Sequence, residues 1–66
     1  MNLFVNGESH EHLGDETVAA LLTELGAKPE HSALTVNGEL VFSKDWKNFT
    51  FTDGDAVEVL TFVGGG

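Results

Sequence analysis

The tetrapeptide Val-Asn-Gly-Glu occurs twice in this chain, at residues 5–8 and again at 36–39. Asn-Gly between apolar flanks is the strongest short-range hairpin signal, because both central residues of a type I′ turn need positive φ. Leu3-Phe4-Val5 leads into the first copy, and the return strand is expected from about Glu8 to Leu13. Ala33-Leu34-Thr35-Val36 leads into the second, with Leu40-Val41-Phe42 returning. No longer self-similarity surrounds the two copies, so one turn chemistry is used twice and there is no repeat unit. Four strands in two hairpins are thus set before any other element is considered.

Between the hairpins, Val18, Leu21, Leu22 and Leu25 fall at i, i+3, i+4 and i+7, which predicts one apolar helical stripe. Asp15 or Thr17 is placed to cap its start, and Gly26 followed by Pro29 to stop it. Ser43-Lys44-Asp45-Trp46 reads as a short capped helical turn with Trp46 against the core. Asp53-Gly54-Asp55 reads as a turn before a last strand from Ala56 to Val63, which is β-branched at 57, 59, 61 and 63. The order is strand, strand, helix, strand, strand, short turn, strand. That predicts an α+β domain with a four- to five-stranded mixed sheet and one main helix across one face. The connectivity is that of the β-grasp, or ubiquitin-like, fold, with the first and last strands parallel at the sheet centre. Residues 1–63 form the domain, and 64–66 a flexible Gly-Gly-Gly tail.

Glu58 belongs in solvent, so alternation points Val57 and Val59 towards the helix and Leu60 and Phe62 outwards. By the same logic Leu3 and Val5 point inwards and Phe4 outwards. Phe4, Leu60 and Phe62 on the outer face next to the tail are then either a docking patch for a partner or ordinary half-covered apolar side chains.

Composition narrows the function. Sixty-six residues form one small domain with a thin core, and the absence of cysteine excludes a disulfide framework and a thiolate metal site. Eleven acidic residues against three lysines and no arginine give a formal charge of −8. Nucleic acids and anionic membrane surfaces are poor partners for such a chain; a protein with a basic docking face would suit it, although the acidity taken alone is accounted for by the solubility of a small domain. Residues 1–5 carry no basic start or signal-length apolar run, and no stretch approaches the ~20 apolar residues of a membrane span. A soluble cytoplasmic protein is expected.

Few residues invite catalysis. His10-Glu11-His12 puts two imidazoles on one face of a strand, but no third or fourth ligand is evident, so a solvated edge strand is expected and no metal. His31 reads as loop. Asp53-Gly54-Asp55 lacks the repeated oxygen ligands of a calcium loop. Lys44 and Asp45 lack an accompanying nucleophile or oxyanion donor. A non-enzyme is expected, with no cofactor of its own. The remaining feature is the tail. Fully extended, Gly64, Gly65 and Gly66 project the terminal carboxylate about 10 Å from the domain, a shape suited to threading it into a narrow active site on another protein. A linker or cloning scar has the same composition.

Taken together, the chain resembles the bacterial thiamine-pathway sulfur carriers, the ThiS family, over essentially all 66 residues. The matching segments are Val5-Asn6-Gly7-Glu8, Thr17-Val18 leading into Leu21-Leu22-Thr23-Glu24-Leu25, and Val36-Asn37-Gly38-Glu39-Leu40-Val41. They continue with Lys44-Asp45-Trp46, Asp53-Gly54-Asp55-Ala56-Val57-Glu58 and Gly65-Gly66. The resemblance implies that a ThiF-like adenylyltransferase uses ATP and Mg²⁺ to adenylate the Gly66 carboxylate. Sulfur, ultimately from a cysteine desulfurase, then converts it to a thiocarboxylate, and a ThiG-like thiazole synthase accepts that sulfur. Gly64 and Gly65 would line the partner channels, and the patch near Phe62 would dock. Phe42 stands where the family often has proline, and Gly64 precedes the usual glycine pair. A carrier of the same fold for molybdopterin or another sulfur-containing metabolite is the alternative, as is a ubiquitin-like interaction module with an inert tail.

Overall fold

The computed structural model describes residues 1–62. Its strands are β1 (Asn2–Val5), β2 (Glu8–Glu11), β3 (Ser32–Val36), β4 (Glu39–Val41) and β5 (Ala56–Thr61), and its one α-helix is α1 (Val18–Leu25). Short 3₁₀ turns cover Pro29–His31 and Ser43–Asn48. The sheet order is β2-β1-β5-β3-β4. β1 runs parallel to β5, and the other pairings are antiparallel. This is the β-grasp connectivity.

Both Asn-Gly pairs adopt the expected turn: φ is 51° and 84° at Asn6 and Gly7, and 52° and 85° at Asn37 and Gly38. Each loop is two residues long, so each hairpin register is fixed: Val5 faces Glu8 and Val36 faces Glu39. The two asparagines also do a second job. Asn37 accepts the Ala56 N–H on Oδ1 at 3.0 Å, and Asn6 accepts the Val59 N–H at 2.9 Å. The parallel β1–β5 ladder has only the pairs Phe4–Ala56 and Val5–Val57. Asn6 carries the hydrogen bonding of β5 two residues further with its side chain.

α1 has eight residues, too short to be stable alone in water, so packing must hold it. Thr17 caps it, its Oγ1 accepting the Ala20 N–H at 3.2 Å. Gly26 ends it in the left-handed region at φ 75°, and the Ala27 N–H reaches back to the Leu22 carbonyl at 2.8 Å. Val18, Leu21 and Leu22 are fully buried against Leu3, Leu34, Val36, Phe51 and Val57, while Leu25 is partly buried at the margin. Each fully buried aliphatic side chain contributes about 2 kcal/mol of transfer free energy.

Two sequence expectations shift, at the end of β2 and at the Ser43–Asn48 turn. β2 ends at Glu11, two residues short of Leu13; His12 still exchanges backbone hydrogen bonds with Met1, and Leu13 is 84 % exposed. β5 is described to Thr61, and Val63 lies outside the described residues. The Ser43–Asn48 turn has no side-chain cap, its first backbone groups being met by the Phe42 carbonyl, which accepts the Asp45 N–H at 2.8 Å. Trp46 does pack on the core and donates its Nε1–H to the Val41 carbonyl at 2.9 Å. Phe51, in the alternating segment Phe49-Thr50-Phe51-Thr52 outside the five strands, is also core, and meets Phe49 edge-to-face at 5.3 Å.

Candidate functional site

Strand alternation puts Ala56, Glu58, Leu60 and Phe62 on the face of the sheet away from α1. Leu60 is 59 % exposed and Phe62 58 %, while Val57 on the other face is 1 % exposed. Phe4 shares the outer face and is 44 % exposed. The parallel register nevertheless sets it level with Ala56. Leu60 lies four residues further along, about 13 Å at the rise of a strand. Phe4 therefore stands towards the other end of the outer face and does not border Leu60 and Phe62.

The neighbours of that pair come from the second hairpin. Ala33 faces Leu60 across the β3–β5 ladder. One step past the Leu34–Val41 rung, the extended Phe42 comes level with Ala33. Leu40 faces Thr35, itself opposite Glu58. Leu40 is 53 % and Phe42 57 % exposed. Leu40, Phe42, Leu60 and Phe62 thus form an apolar strip across three strands, with Ala33 too small to divide it. The alternation of β4 around an inward Val41 was the sequence signal for Leu40 and Phe42, but the order β5-β3-β4 was needed to set them beside Leu60.

The strip reaches the last described residue, Phe62. The Phe62 N–H donates to the His31 carbonyl at 2.6 Å, the last described rung. Upstream, β3 holds β5 through five consecutive pairs, from Val36–Val57 to Ser32–Thr61. The end of β5 is consequently held firmly. The expected reactive residue Gly66 and the channel residues Gly64 and Gly65 lie outside the described residues.

On the helix side the structure corrects one reading. His10-Glu11-His12 is on an edge strand but is not a solvated element. His10 faces Leu3 in the β1–β2 register, so both imidazoles point towards α1, and His12 is 1 % exposed. A third group that spacing along the strand could not reveal comes from the helix: Glu24 Oε1 lies 2.5 Å from His10 Nε2 and 3.0 Å from His12 Nδ1. Its Oε2 accepts the Leu13 N–H at 3.1 Å. His12 Nε2 meets the Asp15 carbonyl at 2.5 Å. Burial alone would lower the His12 pKa, but the hydrogen bonds to Glu24 and to the Asp15 carbonyl outweigh it and hold the pKa above its ordinary value. Hydrogen bonds from His12 and then His10 bring Glu24 down to about 2.

The acids of Asp53-Gly54-Asp55 serve the turn. Asp53 accepts the Asn2 N–H at 2.6 Å, and Asp55 accepts the Thr52 N–H at 2.9 Å and the Asn37 amide at 3.0 Å. Among the described residues, no helix is long and apolar enough to cross a membrane.

Known proteins resemble the chain throughout its length. Two solved structures of a thiamine biosynthesis protein (ThiS) from Geobacter metallireducens are 42 % identical to it. The crystal structure has a TM-score of 0.80 with both chains fully covered, and the solution structure a TM-score of 0.77 with 88 % of that chain covered. Thiazole synthases of Paramagnetospirillum magneticum and Magnetococcus marinus are 38 % and 33 % identical over all 66 residues, though the chain spans only 20 % of their length. The family model for ThiS matches residues 3–66, and with this fold and these likenesses the chain belongs to the ThiS family.

Proposed function

We propose that the protein is a sulfur carrier for thiazole formation in thiamine biosynthesis, with the terminal carboxylate of Gly66 as its reactive group. The observation that carries this reading is the family match reaching residue 66, so that it includes the glycine tail as well as the domain. A carboxylate is a poor electrophile. Attack of its oxygen on the α-phosphorus of ATP, with loss of pyrophosphate, gives an acyl-adenylate; the terminal sulfur of a persulfide then displaces AMP to give an acyl disulfide, and a second thiol cleaves it, releasing the thiocarboxylate and leaving the two thiols as a disulfide. The ATP and Mg²⁺ belong to a ThiF-like adenylyltransferase, and the sulfur derives from a cysteine desulfurase system. The chain is the substrate in these steps and not the enzyme. Three residues without Cβ atoms leave room for the adenylate and for the attacking sulfur in a partner channel.

A ThiG-like thiazole synthase is the acceptor. Supporting this, proteins named thiazole synthase contain a segment similar to this chain, and covalent linkage of two modules raises the effective concentration of one for the other. The strip of Leu40, Phe42, Leu60 and Phe62 is the docking surface, since it reaches Phe62, and the charge of −8 favours partners with basic faces.

Incubation with the adenylyltransferase, ATP and a sulfur donor, followed by intact-mass measurement, tests the proposal. One oxygen replaced by one sulfur on the last residue is expected. An unchanged mass with a competent partner refutes it. A variant with one alanine added after Gly66 is expected to stay unmodified, and thiolation of that variant without trimming refutes Gly66 as the site.

A further inference from the structure

His10, His12 and Glu24 lie on the helix side of the sheet, opposite the apolar strip. Their ligand atoms, His10 Nε2, His12 Nδ1 and Glu24 Oε1, all fall within 4.8 Å of one another. We infer that these three atoms form a binding site for one divalent transition-metal ion, with zinc as the best-matched ion, joining β2 to α1. Two imidazoles and one carboxylate suit zinc and its neighbours, whereas calcium and magnesium require sets of oxygen ligands.

The geometry around the three atoms supports the site. His12 Nε2 faces the Asp15 carbonyl, which only accepts, so Nε2 carries a proton and orients the ring with Nδ1 towards Glu24. A metal-bound histidine is ordinarily held in this way, its other nitrogen donating to a carbonyl or carboxylate. The Leu13 N–H holds Oε2 of Glu24 and leaves Oε1 for the metal. Zinc–nitrogen bonds of about 2.0 Å in a tetrahedron place ligand atoms about 3.3 Å apart. To admit the ion, the contacts of 2.5 and 3.0 Å from Oε1 open slightly, and the two imidazole nitrogens, within 4.8 Å of each other, adjust by side-chain rotation. The side chains of His10 and Glu24 are each 27 % exposed, which provides an entry path and room for a water as fourth ligand. A small cysteine-free domain gains from such a crosslink, because an ion that binds only the folded form stabilises it by mass action.

Zinc chloride titrated into the untagged full chain, followed by calorimetry and by nitrogen NMR of the imidazoles, tests the site. The expected result is one zinc per chain in the micromolar range, metal-type shifts at His10 Nε2 and His12 Nδ1, and a raised melting temperature. His10→Gln and Glu24→Gln, both at partly exposed positions, are each expected to weaken binding at least about tenfold, while His31→Ala leaves it unchanged. Magnesium chloride is expected to produce none of these effects. Absence of binding in excess zinc, zinc shifts at other nitrogens, or undiminished binding by both ligand variants overturns the inference.

Discussion

Asn6 brackets the backbone of Val59: its Oδ1 accepts the Val59 N–H at 2.9 Å, and its Nδ2 lies 3.5 Å from the Val59 carbonyl. A hairpin turn thereby supports the strand that leads to the tail, at the point where the β1–β5 ladder has ended. The repeated Asn-Gly signal serves both the register of each hairpin and the anchoring of β5.

Asn6→Gly separates these two roles, since glycine keeps the positive φ and removes the carboxamide. A loss of about 1 kcal/mol is expected from denaturant unfolding, with faster hydrogen exchange at the Val59 amide. If Val59 keeps its protection, the side chain does not anchor the strand.

The proposed docking strip predicts an order of effects. Phe42→Ser and Leu60→Ser remove exposed apolar surface and should leave the fold intact while lowering kcat/KM for adenylation at least about tenfold, as central anchors do. Phe4→Ser, at the far end of the sheet, should change it much less. Equal losses at positions 4 and 60 would place the contact elsewhere on this face.

Acid and base act on the β2–α1 cluster from opposite sides. His12 has a raised pKa, so its contribution is complete below the ordinary 6.5 and is lost as pH rises through its folded value. Glu24 is lowered to about 2, so its contribution is complete above the ordinary 4.5 and is lost as pH falls towards 2. With a chelator present, the stability supplied by this pair should peak between 4.5 and 6.5. Urea midpoints across pH should show that maximum in the parent chain and a flatter alkaline side in Glu24→Gln.

Thr17 caps α1 through Oγ1, and its backbone bridges to Thr50. Thr17→Ala should destabilise the domain by about 1 kcal/mol and Thr17→Ser should recover most of it. Equal unfolding midpoints for Ala and Ser would show that the hydroxyl contributes nothing.

Local chemistry determined much of this protein from its sequence alone. Asn-Gly at two sites required both hairpins and their registers, the 3.6-residue stripe with Thr17 and Gly26 bounded the helix, and alternation in β5 separated Val57 from Leu60. These features depend on backbone angles and on residues near in sequence, so a linear reading captures them. Even the inward face of His10 was implicit in the first turn, once Val5 opposes Glu8 and Leu3 points to the core. What surrounds those faces depends on contacts distant in sequence. Only the strand order β5-β3-β4 brings Phe42 towards Leu60, and only the parallel register separates Phe4 from it. Likewise, only the packing of α1 on the sheet delivers Glu24 to His10 and His12, because a helix residue twelve positions beyond His12 meets it through tertiary packing and not through local chain geometry.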